Sequence, residues 1–172
     1  MRSERQSHLR GVVALLAFVG CAAAAQDLAG RVAKVSDGDT LTLDTGRQKV
    51  VVRLQDIDAP EGRQAFGQES SALLRALCPP GSLASGKVKE RDRFGRLVAM
   101  LRCGEKDAST EQVRAGAAWV FVRYAPKDSP LYQIEADARA ARRGLWSDPR
   151  PTPPWGFRRG TVSRTTQQLL TH

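Results

Sequence analysis

Between Asp27 and Asp56 the chain consists of short apolar alternations interrupted twice by turn residues. Val32, Val35, Leu41 and Leu43 recur with strand-like spacing, and Asp37-Gly38-Asp39 and Thr45-Gly46 break the pattern. Breaks of this composition suit tight turns. Lys49 to Asp56 reads as a third strand. Successive side chains in a strand point to opposite faces, so Val50, Val52 and Leu54 share one side while Arg53 and Gln55 share the other.

The remaining elements follow from periodicity. Gln64 to Leu77 predicts a helix, because Phe66, Leu73, Leu74 and Leu77 fall on one face of a 3.6-residue period. Cys78-Pro79-Pro80-Gly81 stops it, since proline cannot continue a helix. Strands are predicted over Ser85–Arg91 and Arg96–Cys103, joined through Asp92-Arg93-Phe94-Gly95. Thr110 to Ala117 reads as a short helix, Trp119 to Tyr124 as a strand, and Leu131 to Leu145 as an amphipathic helix. Ser147 to Pro154 is proline-rich and reads as extended. The order is three strands, helix, two strands, helix, strand, helix. It fits an α+β fold, a small antiparallel barrel with helices packed on it.

The expected organisation is a signal peptide at 1–25, one domain at 26–157 and a polar tail at 158–172. Arg2, Arg5 and Arg10 precede an uncharged apolar run of 15 residues, Gly11 to Ala25. A membrane-spanning helix needs about 20 such residues. The run with its Ala23-Ala24-Ala25 end has the form of a secretory signal, with Gln26 as the first mature residue. The alternatives are an uncleaved anchor and lipoprotein processing at Cys21. Export to the periplasm or medium is expected, with no stable membrane association after cleavage. No signal for an oligomer is visible, and a monomer is expected.

Charge and histidine content bound the chemistry. Residues 1–25 hold three of the 27 basic and one of the 18 acidic side chains, so the rest still carries 24 against 17, a net of +7. An anionic partner is implied. The two histidines are His8, in the expected signal, and His172, the last residue. That excludes Ser-His-Asp and Cys-His catalysis, imidazole zinc sites and imidazole acid–base chemistry. Cys78 and Cys103 are the cysteines left beyond Cys21. An even count in an exported chain points to a disulfide, and the other possibility is two buried thiols.

Carboxylates and cations remain. Asp37-Gly38-Asp39-Thr40 lies in the first turn, and Asp56-Ile57-Asp58-Ala59-Pro60-Glu61 follows the third strand. Hard divalent cations take carboxylate and carbonyl oxygens, which two such turns could supply together. Either stretch alone is equally well a turn or a helix start. Arg53 and Arg96 are candidate phosphate ligands, since guanidinium pairs bidentately with phosphate and stays charged.

Together these segments resemble the thermonuclease family, the staphylococcal-nuclease-like domains, over roughly residues 27–148. The resemblance rests on Asp37-Gly38-Asp39-Thr40, Arg53-Leu54, Asp58-Ala59-Pro60-Glu61 and Asp92-Arg93-Phe94-Gly95-Arg96, supported by Val113 to Trp119 and Ala140 to Trp146. It implies a five-stranded OB-fold barrel with about three helices. It also implies Ca²⁺-dependent hydrolysis of DNA and RNA with little sequence preference, leaving 3′-phosphates. Asp39 and Asp58 fall at the metal-ligating carboxylates, and Ala59 at a carbonyl ligand where the best-known member has Thr. Glu61 matches the catalytic glutamate, and Arg53 and Arg96 the two catalytic arginines. Arg93, Phe94 and Tyr124 become the substrate-binding candidates, with Phe94 standing where Tyr is common. The runner-up is a non-catalytic OB-fold module binding single strands. A third reading is a basic protein adhering to anionic polymers.

Overall fold

The computed structural model describes residues 26–160. The expected signal peptide with Cys21, and the tail beyond residue 160, lie outside the described residues.

Five strands close a barrel. β1 (Gln26–Asp37), β2 (Thr40–Asp44) and β3 (Lys49–Leu54) form the predicted meander through the two predicted turns. β4 (Ile57–Asp58) is a two-residue strand after β3. β5 (Leu83–Arg91) pairs antiparallel with β1, and β6 (Leu97–Cys103) pairs antiparallel with β5. The barrel shuts where β6 meets β3, and there the strands run parallel, with Val52 opposite Leu97 and Arg53 opposite Val98. The expected barrel is therefore present, but mixed rather than purely antiparallel. The helix between β4 and β5 is the crossover that permits this parallel closure.

Side-chain alternation puts Leu41, Leu43, Val52, Leu54, Ala99 and Leu101 in the barrel core, each 1% exposed or less. That leaves Arg53 on the outer face of β3. A second sheet is a minimal ribbon of β4 with β8 (Trp119–Val120), placing Asp58 opposite Trp119. The short β7 (Lys106–Asp107) extends β6.

Helices close the ends. α1 (Gly67–Leu77) starts three residues later than its periodicity predicts, because residues 61–67 first make two turns, Glu61 O to Gln64 N and Gln64 O to Gly67 N. α2 (Ala108–Arg114) starts earlier than expected, since the Asp107 carboxylate accepts from the Thr110 amide and caps it. α3 (Leu131–Ala140) stops short of Leu145, where Arg142 takes a positive φ of 50° and a 3₁₀ turn, Gly144–Ser147, follows. The predicted strand to Tyr124 ends at Val120, and the chain turns as the Tyr124 and Ala125 amides donate to Phe121 O. Beyond the extended prolines, a further short helix, α4, runs over 154–160. The expected boundary at residue 157 falls inside it. Among the described residues no helix is long and apolar enough to cross a membrane.

The Cys78 and Cys103 sulfurs lie at bonding distance, with Cα atoms 5.4 Å apart. They tie the C-terminus of α1 to the end of β6.

Candidate active site

The β1–β2 turn and the segment after β3 meet at one end of the barrel. Gly38 makes the approach possible, since a Cβ there would lie 1.8 Å from Ser70 Oγ and 2.9 Å from the Ala59 Cβ. The buried Gln112 amide of α2 donates to Gly38 O and to Ser70 O, pinning the turn onto α1. Asp39 is thereby held 5% exposed, with Oδ1 accepting from Thr40 Oγ1 and Oδ2 from the Ala59 amide at 2.6 Å.

Arg53 reaches from β3 to both segments. Its Nη1 lies 2.7 Å from Asp39 Oδ2, and its Nη2 lies 2.8 Å from Asp58 Oδ1. Asp58 is 1% exposed, and burial pushes its carboxyl above the ordinary range while Arg158 and Arg53 pull against that. Asp37 accepts from the Asp39 amide, and burial followed by the Asp39 charge pushes it up to about 7.

Glu61 sits where the loop bends back toward α1. Gly67 permits that bend, because a Cβ there would lie 2.0 Å from Glu61 O. The Glu61 carboxylate and Asp58 share a partner that sequence reasoning missed. Arg158, on α4, places Nη1 2.6 Å from Glu61 Oε1 and Nη2 2.6 Å from Asp58 Oδ2. Burial works against the Arg158 charge, but its bonds to Asp58 and Glu61 outweigh that and raise its pKa. The neighbouring Trp155 stacks on Phe121 at 5.6 Å and meets Trp119 edge-on at 6.4 Å, while the Gln64 side chain donates to Thr152 O. Only the clustering of Trp155 with a flanking basic pair, Arg158-Arg159, marks this segment in the sequence.

The remaining candidates make no hydrogen bond or ion pair to Asp39, Asp58 or Glu61. Arg96 immediately precedes β6, whose Leu97 pairs with Val52 beside Arg53, so it begins a strand adjacent to β3. Its own side chain bonds Asp92 Oδ2 at 2.7 Å. Phe94 is 69% exposed, with the Arg93 and Arg96 guanidiniums 4.8 and 5.4 Å from its ring centre. Tyr124 is 52% exposed and meets Phe121 edge-on at 5.0 Å. Both exposed rings offer faces on which a base can stack.

Hard oxygen donors suit a divalent cation. Asp39 and Asp58 fit that chemistry, and Asp58 is directly followed by Ala59, whose amide secures Asp39. Among the described residues no three acidic, cysteine or histidine side chains group into a metal centre. A cation here would need backbone oxygen and water besides the two aspartates. Guanidinium groups of Arg53 and Arg158 hold those carboxylates.

A mixed five-stranded barrel with helices packed on it defines an OB-fold, and aspartates, an arginine and a glutamate meet at one end of it. Residues 51–148 match the family described as "Staphylococcal nuclease homologue", more than half the chain, and the protein belongs to that family. It is 36% identical over 167 residues to a micrococcal nuclease of Shigella flexneri, covering 91% of this chain and 95% of that one. It is 39% identical over 133 residues to a protein of Escherichia coli O157:H7 called an uncharacterized endonuclease, covering 77% and 86%. A Haemophilus influenzae protein of the same description is 40% identical over 131 residues, covering 75% and 72%. The chain is accordingly a hydrolytic nuclease acting on nucleic acid, in a family of metal-dependent enzymes. Relatives named as nucleases favour catalysis over the non-catalytic module and the merely adhesive basic protein.

Proposed function

We propose that the protein is an exported, Ca²⁺-dependent phosphodiesterase that cleaves DNA and RNA with little sequence preference and leaves 3′-phosphates. The observation that carries this reading is the convergence of Asp39 from the β1–β2 turn, Arg53 from β3, and Asp58 and Glu61 from the segment after β3 onto one end of the barrel. Asp39, Asp58 and the Ala59 carbonyl would hold the cation, which when bound supplies positive charge to a phosphate oxygen and to water.

This chain's own groups do the rest. In-line attack of water builds negative charge on the equatorial phosphate oxygens. Arg53 and Arg96 stabilise that charge as fixed cations. Arginine does not readily give up a proton, so neither serves as the acid. Glu61 accepts the proton of the attacking water, since no imidazole is present among the described residues to do so. Arg93, Phe94 and Tyr124 contact the sugar–base portion. Aromatic faces accept any base, which gives binding without sequence readout. The bond to the 5′-oxygen breaks, the leaving oxygen takes a proton from solvent water, and the product carries a 3′-phosphate.

End-group analysis tests the chemistry. Oligonucleotides of DNA and of RNA, digested in Ca²⁺, should give fragments that a polymerase extends only after phosphatase treatment. Fragments with free 3′-hydroxyls and 5′-phosphates would rule out this direction of scission.

A further inference from the structure

The family's chemistry leaves one strong interaction unexplained. Arg158 projects from α4 and takes both Asp58 Oδ2 and Glu61 Oε1 at 2.6 Å, with a longer contact to Asp58 Oδ1 at 3.4 Å. It joins a residue proposed as a metal ligand to the one proposed as the base. It does so from 100 and 97 positions away in the chain.

We propose that α4 is a built-in competitor for the metal site, in which the Arg158 guanidinium occupies the carboxylates that a divalent cation needs. The proposal rests on the reading of Asp39 and Asp58 as cation ligands and adds a regulator to it.

Three observations carry it. First, Asp58 is fully buried and its carboxylate oxygens are divided between two guanidiniums, Arg53 on Oδ1 and Arg158 on Oδ2. A cation entering at Asp58 must displace at least one of them. Second, the two arginines differ in how firmly they are placed. The Arg53 side chain is 12% exposed and belongs to a barrel strand, whereas Arg158 is 45% exposed and sits on a seven-residue helix at 154–160. Local openings favour short, weakly packed peripheral segments, so Arg158 is the one that leaves. Third, a device holds α4 in register without freezing it. Pro154 is buried, Trp155 stacks on Phe121 at 5.6 Å with planes 7° apart, and Gln64 donates to Thr152 O. Trp155 fixes where α4 docks, and Arg158 closes on the carboxylates three residues later.

The consequence is a coupled equilibrium. With α4 docked, Asp58 and Glu61 are neutralised by an internal cation and the base is engaged. Divalent cation and docked Arg158 bind the same carboxylate, so the apparent cation affinity falls by the fraction of molecules with α4 undocked. Release of Arg158 on metal binding also frees the Glu61 carboxylate to accept a proton. The same release moves Trp155 relative to Phe121.

Calorimetric titration of the chain with CaCl₂ at fixed ionic strength tests this, with Arg158→Gln and Arg158→Lys beside wild type. Arg158 is 45% exposed and lies outside the barrel core, so circular dichroism spectra of both variants should match wild type. Arg158→Gln should bind Ca²⁺ on the order of 10-fold more tightly. Arg158→Lys, a point charge without the bidentate fork, should fall between. Wild-type tryptophan emission should change on Ca²⁺ addition. Wild-type binding with no gain of affinity in Arg158→Gln would overturn the competition while leaving the calcium reading intact. No binding by any of the three chains would overturn both together.

Discussion

At the scale of single residues, the site is an exercise in compensating buried charge. Arg53 lies between Asp39 and Asp58, at 2.7 and 2.8 Å, with all three side chains 12% exposed or less. Removing one partner of a buried pair leaves the other uncompensated and is strongly destabilising. Arg53→Met should therefore cost about 3 kcal/mol in the absence of metal, read from urea denaturation. A loss under about 0.5 kcal/mol would mean the pairs behave like exposed ones. Asp92 makes a milder case. Burial is the largest single influence and raises its carboxyl, but the Arg96 side chain and the Arg96 and Phe94 amides together outweigh it and hold the carboxyl below the ordinary 3.8. A native carboxyl below its unfolded value stabilises the fold above that value, and the benefit disappears as pH falls through the native one. The advantage of wild type over Asp92→Asn should be about 1 kcal/mol at neutral pH. It should shrink below pH 4, as followed by thermal melts. An advantage that grew on acidification would have the wrong sign.

At the scale of elements, Gly67 connects packing to chemistry. Its missing Cβ is what lets the Glu61 carbonyl lie against the start of α1. Gly67→Ala should keep the barrel but push the Glu61 loop outward, costing ~1–3 kcal/mol by overpacking and lowering kcat more than it raises KM. Unchanged kinetics would show that the loop's position does not set Glu61. Elements also show what is legible in the sequence. The β1–β3 meander, β5, β6 and the core of α1 are, because a strand or helix with one apolar face carries its period locally. The turn aspartates and Glu61 are legible because they punctuate those elements. The stretch from Trp119 to Tyr124 misleads, being rich in strand-forming residues. Its partner β4 has only two residues, so the ladder ends at Val120 for want of a strand to pair with. Arg158 is invisible for a different reason. It lies in a seven-residue helix too short to show an apolar period, and its meaning comes from carboxylates 97 and 100 positions away.

At the scale of the whole molecule, long-range ties hold the two ends of the barrel in place. The Cys78–Cys103 pair, 25 positions apart, closes the loop containing β5 and β6. Replacing both cysteines with serine should cost ~2–4 kcal/mol, and reductant should lower wild-type stability by a similar amount while leaving the variant unchanged. Equal stability of oxidised and reduced wild type would show that the loop needs no staple. The basic charge outside residues 1–25 is a whole-molecule property too. It attracts any polyanion, and the proposed roles of Arg53 and Arg96 narrow that to phosphodiesters. The central claim is that these carboxylates and Glu61 make a metal-dependent hydrolytic site. Its most direct measurement is release of acid-soluble nucleotide from DNA in millimolar Ca²⁺ and in chelator, by wild type and by Glu61→Gln. The account predicts release only with Ca²⁺ and a rate for Glu61→Gln lower by ~10²–10⁴-fold. Wild-type activity that survives chelation, or full activity of Glu61→Gln, would contradict it.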